Sequence, residues 1–329
     1  MKPRHPTRAQ MTLKRILVTG ASGCIGHYIA EALIQETEHE LFLLVRDPDK
    51  LKLNVHARPG VTVIRADMRD IGQHSSLLKT INCAVLTATA WGGDDVHEIN
   101  VVKTLELMSL LDPDVCDRVI YFCTASVLGR DNQPLKEAGE IGSDYIRSKY
   151  ICYSRLGELA IAPKVTTVFP TLVLGGGDGY PYSHISSGIS DVVKWIKLIR
   201  FLDAEGSFHF VHGRDIAQVV RHLVEHAADE NEPRDMVLGN EKITVNQAIE
   251  ETCDYLNQKI YFRIPLSLWL ADFFIFLFRI QMGDWERFSL HYLHFTYQNA
   301  VSPATFGLPT YCATLYDVLK ISGIPRRRR

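Results

Sequence analysis

The sequence predicts an α/β protein in which a parallel, doubly wound sheet carries helices on both faces. Two observations lead to this fold class. Short apolar segments rich in β-branched residues alternate with segments of helical spacing through roughly the first half of the chain. The first apolar segment also runs directly into a glycine-rich turn and then into a helical pattern, which is the arrangement of a strand, a turn and a helix.

Six segments are expected to form the buried strands of this sheet. Each is short and apolar and is followed by turn residues or by a helical pattern. They are Arg15–Val18, Glu40–Val45, Val61–Ile64, Asn82–Ala90, Arg118–Cys123 and Lys164–Phe169. Phe208–Val211 is predicted as one further strand.

Three helices follow from apolar residues that recur on one face. Residues 27–36 place Ile29, Leu33 and Ile34 together. A second helix contains Asn100 and runs to Leu111. A third, Asp215–His226, turns its apolar residues inward and leaves His222, Glu225 and His226 in the order of a zinc-protease motif. A solvated helix face is the preferred interpretation of those three, and no metal is expected.

The glycine-rich turn has the sequence Val18-Thr19-Gly20-Ala21-Ser22-Gly23-Cys24-Ile25-Gly26. Glycines permit a tight turn and a close approach of the backbone to a ligand, while the helix start offers free N–H groups to a pyrophosphate. The spacing Gly-x-x-Gly-x-x-Gly differs from the more common Gly-x-Gly-x-x-Gly pattern. Because a strand precedes the turn and a helix follows it, the turn predicts a dinucleotide site.

Composition and charge narrow the class of protein. The chain has 329 residues, of which 46% are hydrophobic, and its formal net charge of −2 gives no reason to expect a nucleic-acid partner. Seven scattered cysteines favour a reducing compartment, so a cytoplasmic location is predicted. Residues 1–10 are expected to be a disordered tail without a signal peptide.

The longest apolar run, Leu266–Phe278, is too short to cross a bilayer. It is predicted as a core or interfacial helix, with a peripheral membrane contact left open.

Tyr145 and Lys149 stand one helical turn apart, on one face of a helix. A lysine ammonium beside a phenol lowers the phenol's pKa and makes it a usable proton donor or acceptor. Tyr255 with Lys259, and Tyr316 with Lys320, share this spacing. Only Tyr145 lies downstream of a strand that ends in Cys123-Thr124-Ala125-Ser126, whose hydroxyls would meet it at the carboxyl edge of the sheet.

The order of these motifs resembles the extended short-chain dehydrogenase/reductase family, in its epimerase/dehydratase-like branch, over nearly the whole chain. The matching elements are Thr19-Gly20-x-x-Gly23-x-x-Gly26, Asp67, Ala88-x-Ala90, Asn100, Thr124-x-x-Val127-x-Gly129, Tyr145-x-x-x-Lys149, Pro170 to Gly175 and His212-x-x-Asp215. The resemblance implies an NAD(P)-binding Rossmann fold with a smaller C-terminal substrate-binding part. The dinucleotide-binding domain is predicted to comprise residues 11–175 and about 207–239, and the substrate-binding part residues 176–206 and 240–329.

The resemblance also implies roles for individual residues. Thr124, Tyr145 and Lys149 form the catalytic set, in which Thr124 fits better than Ser126, two positions later. Asp67 holds the adenine, Tyr145 and Lys149 hold the nicotinamide ribose, and Pro170 lines the nicotinamide. The full set of predicted cofactor-binding residues is Gly20, Ser22, Gly23, Cys24, Ile25, Gly26, Arg46, Lys50, Asp67, Met68, Ala88, Ala90, Asn100, Tyr145, Lys149 and Pro170.

Arg46 decides the expected cofactor. It follows the second strand, where an acidic residue would bind the ribose 2′-hydroxyl of NAD and an arginine can accept the 2′-phosphate of NADP. Lys50 or Lys52 would be a second cation. NADP(H) is therefore the preferred cofactor, with NAD(H) also allowed.

These observations predict an oxidoreductase that exchanges hydride between NADP(H) and a carbonyl or alcohol of a small molecule. A nucleotide-sugar epimerase or dehydratase is the alternative. However, dehydrating relatives carry an acidic pair where this chain has Ala125 and Ser126, and epimerising relatives often have asparagine where it has Thr171. The turn Arg46-Asp47-Pro48 resembles that of the dihydroflavonol-reductase-like branch.

The second alternative is a non-catalytic assembly or regulatory protein on the same fold, against which the full Thr, Tyr and Lys set argues. Substrate identity and a homodimer stay open.

Overall fold

The structure is a computed structural model, and it describes residues 13–177, 179–227, 232–267, 269 and 281–326. Among these, fourteen strands are present. They are β1 Arg15–Thr19, β2 Glu40–Val45, β3 Val61–Arg65, β4 Cys83–Leu86, β5 Arg118–Phe122, β6 Val165–Pro170, β7 Leu172–Leu174, β8 Leu202–Asp203, β9 Ser207–Phe208, β10 Phe210–His212, β11 Asp235–Leu238, β12 Ile243–Thr244, β13 Ile264–Pro265 and β14 His294–Phe295.

Ten α-helices lie in the same described ranges. They are α1 Cys24–Glu36, α2 Ser75–Leu78, α3 Thr104–Leu110, α4 Lys136–Glu140, α5 Asp144–Arg155, α6 His184–Ile199, α7 Gly213–Glu225, α8 Val245–Tyr255, α9 Asp284–Tyr292 and α10 Leu315–Ile321. Short 3-10 turns connect several of them, and a π-helix, Glu98–Lys103, leads into α3. None of these helices is long and apolar enough to cross a membrane.

Seven parallel strands form the central sheet in the order β11-β6-β5-β4-β1-β2-β3. Buried apolar side chains cover both faces, because parallel strands are screened by helices on each side. The strand order reverses between β1 and β4, and ligands of such sheets bind at the carboxyl ends beside the reversal. The predicted α/β, doubly wound Rossmann-type sheet is confirmed.

Two strand predictions need correction. The fourth strand is only Cys83–Leu86, since residues 87–90 leave the sheet as a loop at its carboxyl edge. Phe208–Val211 is not one strand: Ser207–Phe208 pairs with β12 and β14, whereas Phe210–His212 pairs with β7. The seventh strand of the central sheet is instead β11, which sequence patterning did not identify.

The C-terminal segment is attached to the sheet domain through Asp215 on α7. Its carboxylate is fully buried and accepts hydrogen bonds from the backbone N–H groups of Tyr311 (2.6 Å) and Cys312 (3.0 Å). The His-x-x-Asp motif therefore has a structural task here, since a buried carboxylate must be hydrogen-bonded. The division of the chain into a dinucleotide-binding and a substrate-binding part stays a prediction.

Two predicted segments fall largely outside the described residues. The tail, residues 1–10, lies outside them altogether, and of the apolar run 266–278 only residues 266, 267 and 269 are described. The residues of the zinc-protease motif lie at the end of α7, within the described part of the chain. Glu225 forms an ion pair with Arg221 (3.0 Å), and the His222 ring stacks on the His226 ring. Within the described ranges, no cluster of three side chains suited to a metal ion is found.

Candidate active site

A cleft with a volume of about 480 Å³ lies at the carboxyl edge of the central sheet. One wall is the glycine loop between β1 and α1. The opposite wall carries Thr124, Tyr145 and Lys149. The cleft therefore brings the predicted catalytic set to the predicted cofactor loop.

The glycine loop is closed so tightly that two of its glycines cannot carry a side chain. Gly20 has φ +70°, and a Cβ atom there would lie 2.7 Å from the backbone nitrogen of Ala88. A Cβ on Gly26 would collide with the carbonyl oxygen of Gly20 and lie 2.8 Å from Oγ1 of Thr87. Gly23 is less crowded, with 3.4 Å to the nearest atom. The turn thus holds the start of α1 against the loop that follows β4.

The start of α1 is open to an anion. Its N-cap, Gly23, supplies no side-chain hydrogen bond, so the first amides of the helix lack the usual capping acceptor. Cys24 and Ile25 line the cleft beside them, and Ser22 is half-buried in the same turn. Burial raises the pKa of the Cys24 thiol to about 12, so it adds no negative charge. This loop fits a pyrophosphate, because unpaired N–H groups and the helix dipole both favour one.

Arg46 and Asp67 lie close together at the ends of β2 and β3. Arg46 is exposed, and its charge contributes to lowering the pKa of Asp67. The main cause of that lowering is a hydrogen bond from the side chain of Arg69, whose terminal nitrogen lies 2.9 Å from Oδ2 of Asp67. Met68 beside Asp67 is buried, while Lys50 is exposed and 3.9 Å from Asp47.

Asn100 on the π-helix is fully buried, and its side chain organises the loop after β4. Its Oδ1 accepts hydrogen bonds from the Ala90 backbone (2.8 Å) and the Thr89 hydroxyl (3.0 Å). Its Nδ2 donates to the Ala90 carbonyl (2.8 Å) and to Oγ of Ser148 on α5 (2.9 Å). Asn100 therefore joins the Ala88–Ala90 segment to the helix that carries Tyr145, and we propose that it supports the cofactor through that loop.

We expect Asn100→Ala to weaken cofactor binding and to lower the melting temperature. The substitution leaves both backbone groups of Ala90 without their partner, at a cost of about 1–3 kcal/mol for each buried group that stays unpaired. Isothermal titration calorimetry measures the cofactor affinity, and differential scanning calorimetry measures the melting temperature. Ser148→Ala, which removes one of the four bonds, is the matched control and should have a much smaller effect. Unchanged cofactor affinity in Asn100→Ala would contradict this role.

Lys149 is almost completely buried on α5. Its Nζ donates to the backbone carbonyl of Phe122 at the end of β5 (2.8 Å) and lies 5.1 Å from the centre of the Tyr121 ring. These contacts fix the ammonium at the base of the cleft. Thr124 caps the turn that follows β5, accepting a hydrogen bond from the Ser126 backbone (3.4 Å).

The pKa of Tyr145 is shifted in the direction opposite to the expectation from sequence. Burial raises it, and the hydroxyl of Thr124 offsets part of that rise by favouring the ionised phenol. Lys149 does not lower it, because its ammonium is directed at the Phe122 carbonyl, and burial lowers the pKa of Lys149 itself. Burial therefore favours the protonated form of the Tyr145 phenol.

The sequence profile of the NAD dependent epimerase/dehydratase family matches residues 16–239, well over half of the chain. The chain belongs to this family. The resemblance to the extended short-chain dehydrogenase/reductases and to their epimerase/dehydratase-like branch is thereby confirmed, and the chain is an enzyme of that NAD(P)-dependent class. None of the curated proteins matches the chain in sequence.

Solved structures of this fold cover almost the whole chain. The crystal structure of gox2253 is 19% identical over 95% of this chain and 100% of that chain, with a TM-score of 0.66. DesIV, a dTDP-glucose 4,6-dehydratase from Streptomyces venezuelae, is 18% identical over 94% and 96%, with a TM-score of 0.60. The UDP-glucose 4-epimerase of Thermotoga maritima is 15% identical over 94% and 97%, with a TM-score of 0.58. At these identities the likeness shows a common fold.

Trp91 also lines the cleft, and the sequence analysis did not identify it. Its ring stacks on Tyr145 with centroids 4.2 Å apart and meets the edge of His184, at the start of α6, at 4.5 Å. It is more than half exposed. A tryptophan directly after the Ala88-x-Ala90 match was the available signal. Trp91 connects the two walls of the cleft over the candidate catalytic phenol.

Pro170 at the end of β6 lies where the cleft meets a second cavity of about 250 Å³. The two cavities share Ser126, Pro170, Thr171 and Leu172. We call the second cavity the aromatic pocket, defined by Leu172, Phe208, Leu293, Phe295 and Tyr297. It continues the cleft away from the glycine loop, on the side of Thr124 and Ser126.

Proposed function

We propose that this enzyme transfers hydride between an NAD(P) cofactor and a carbonyl or alcohol carbon of a small molecule. One observation carries the proposal: Thr124, Tyr145 and Lys149 line the same cleft as the glycine loop, where the start of α1 has no side-chain cap. When bound, the nicotinamide would supply or accept the hydride.

The side chains divide the remaining work. Tyr145 gives the proton to the substrate oxygen, and Thr124 donates a hydrogen bond to that same oxygen. Lys149, fixed by the Phe122 carbonyl, provides the buried positive charge that favours negative charge developing on the oxygen. Burial raises the pKa of Tyr145, so the phenol is available as a proton donor to the substrate oxygen at neutral pH.

NADP(H) is the proposed cofactor. Arg46 is exposed at the end of β2, and it makes no ion pair with another residue in the described part of the chain. Asp47 and Lys50 pair weakly with each other beside it. A guanidinium in this place suits a 2′-phosphate, which it can bind through two parallel hydrogen bonds.

We expect the wild-type enzyme to bind NADPH more tightly than NADH, and Arg46→Asp to reverse the preference. Charge-assisted hydrogen bonds contribute about 1.5–3 kcal/mol, which corresponds to roughly tenfold to hundredfold in Kd. Isothermal titration with both cofactors measures this. Lys79→Asp is the control, because it changes the net charge by the same amount as Arg46→Asp. Lys79 precedes β4 and so lies on the side of the sheet where the strands begin, away from the cleft, and this variant should keep the wild-type ratio of the NADPH and NADH affinities. Equal affinities in the wild type would refute the preference.

A nucleotide-sugar epimerase or dehydratase is the second candidate. The family match and the solved epimerase and dehydratase structures favour it. Two features of the site do not. Ala125 and Ser126 offer no acid–base pair for elimination, and the Thr171 hydroxyl is used in a 2.9 Å bond to the Leu238 carbonyl.

Incubation with UDP-, dTDP- and GDP-sugars without added NADPH, followed by NMR of the products, separates the two candidates. The proposed reductase leaves these sugars unchanged. Formation of a 4-epimer or of a 4-keto-6-deoxy sugar at a catalytic rate would establish the second candidate in its place.

A further inference from the structure

We infer that the substrate is an uncharged carbonyl compound whose aromatic or other apolar substituent occupies the aromatic pocket, and that it carries no nucleoside diphosphate. This inference rests on the proposed hydride transfer and adds the chemical class of the substrate. It follows from the lining, the hydrogen bonding and the charge of the aromatic pocket.

The aromatic pocket is assembled from three separate parts of the chain. Leu172 comes from β7, Phe208 from β9, and Leu293, Phe295 and Tyr297 from the segment around β14. Parallel pairing of Ser207 with His294, and of Phe208 with Phe295, holds two of these parts together. At about 250 Å³, the pocket is slightly smaller than a site for a whole drug-sized ligand (roughly 300–1,000 Å³) and suits one ring or a short apolar chain.

Three polar side chains that line the aromatic pocket, those of Thr171, Ser207 and His209, already have partners within the protein. His209 is buried, and its Nδ1 lies 2.7 Å from the Asn240 carbonyl while its Nε2 accepts from the Tyr297 backbone at 3.2 Å. The Ser207 hydroxyl lies 2.8 Å from Nδ1 of His294. What these groups leave for a ligand is predominantly apolar surface.

Cationic side chains are missing from the lining as far as the structure describes it. No lysine, arginine, aspartate or glutamate borders the aromatic pocket, and the cleft beside it contains Lys149 alone among these types. Lys149 is bound to the Phe122 carbonyl. A diphosphate placed in the aromatic pocket, away from the N–H groups of the glycine loop, would lose its hydration without a guanidinium or ammonium to replace it, which is strongly unfavourable.

Arg130, the arginine on the neighbouring loop, is used to build the pocket wall. Its guanidinium donates to the backbone carbonyls of Tyr292 (2.5 Å) and His294 (3.2 Å), on either side of Leu293, and lies over the Tyr292 ring. Leu293 itself has φ +60°, a conformation that costs a bulky residue energy and is found mainly where the surrounding structure enforces it. The guanidinium of Arg130 therefore helps to hold the Leu293 side chain at the pocket.

The residues shared by the cleft and the aromatic pocket determine the orientation of such a substrate. Ser126 and Thr171 belong to both cavities, so a carbonyl beside Tyr145 and Thr124 places its substituent past Ser126 and into the aromatic pocket. A substrate of this shape needs only the tyrosine and threonine hydroxyls as polar partners.

The test compares two probes on the wild-type enzyme in the presence of NADPH. Calorimetry should detect binding of 4-phenyl-2-butanone and none of UDP or UDP-glucose, and NADPH oxidation should follow addition of the ketone. Binding of UDP or UDP-glucose would overturn the inference, and so would failure of 4-phenyl-2-butanone, benzaldehyde and cyclohexanone all to bind.

Variants then locate the bound substituent. Phe208→Ala and Phe295→Ala should each raise KM for 4-phenyl-2-butanone by roughly tenfold while changing kcat by less than threefold, because substituent binding is largely uniform through the reaction. Phe201→Ala is the matched control: Phe201 stacks on Phe262 at 4.7 Å, outside the aromatic pocket, and should leave KM unchanged. Unchanged KM in both pocket variants would place the substituent elsewhere and refute the inference.

These results are distinguishable from failure of the proposed function. If Tyr145→Phe still binds 4-phenyl-2-butanone and oxidises NADPH at the wild-type rate, the proton-donor assignment fails while the substrate class stands. If UDP-glucose binds and is epimerised, both fail.

Discussion

Tyr145→Phe is expected to lower kcat for NADPH-dependent reduction by between roughly a hundredfold and ten-thousandfold, the range that one general acid–base group contributes. The substitution removes only the hydroxyl that faces Thr124 in the cleft, and the ring that stacks against Trp91 remains. Cofactor affinity should therefore change little. Steady-state kinetics on a ketone that the enzyme accepts, together with cofactor titration, measure both effects.

Tyr255→Phe and Tyr316→Phe are the matched controls, since both tyrosines also stand four residues before a lysine. The Tyr255 hydroxyl donates to the Ile324 carbonyl (2.8 Å), and the Tyr316 hydroxyl donates to Asp254. Each joins parts of the C-terminal region and neither lines the cleft. Wild-type kcat in Tyr145→Phe, or a loss of kcat confined to either control, would refute the assignment.

Gly26→Ala is expected to abolish cofactor binding and to destabilise the protein. Its new methyl group would collide with the Gly20 carbonyl and crowd Thr87, so the glycine loop and the loop after β4 would be forced apart. Overpacking of a tight site costs about 1–3 kcal/mol, and rigid backbone atoms yield less than side chains. Thermal unfolding and cofactor titration give the two effects separately.

Gly23→Ala is the control for Gly26→Ala. A Cβ at Gly23 would lie 3.4 Å from the Gly20 carbonyl oxygen, an ordinary contact, and the residue has φ −84°. The melting temperature of the Gly23→Ala variant should stay close to that of the wild type. Its cofactor affinity should fall, because the new methyl group would face the cleft. Equal stability of the Gly26 and Gly23 variants would contradict the packing described for the loop.

The central sheet and the cofactor loop could be predicted because their signals are local. Strands buried on both faces are continuous apolar runs, and the glycines of the motif, Gly20, Gly23 and Gly26, recur every third residue directly after β1. β11 was missed because Asp235–Leu238 is a four-residue strand with only three consecutive apolar residues, a run too short to stand out by itself. Its position is set by pairing with β6, which lies about seventy residues earlier in the chain.

The chemistry of the cleft was less predictable, because it depends on where side chains point. Helical spacing correctly puts Tyr145 and Lys149 on α5, but the direction of the ammonium is set by the Phe122 carbonyl on another element. The aromatic pocket has no local signal at all. Phe208 and Phe295 are 87 positions apart and meet only through the pairing of β9 with β14.

Deuterium transfer is the most direct test of hydride exchange in this cleft. The enzyme is incubated with NADPH that carries deuterium at both C4 positions of the nicotinamide and with 4-phenyl-2-butanone, and the alcohol is examined by mass spectrometry and NMR. We predict one deuterium, on the carbinol carbon and on one face only, with NADP formed in equal amount. Turnover that gives unlabelled product, or that proceeds without oxidation of the cofactor, would contradict the proposed reaction.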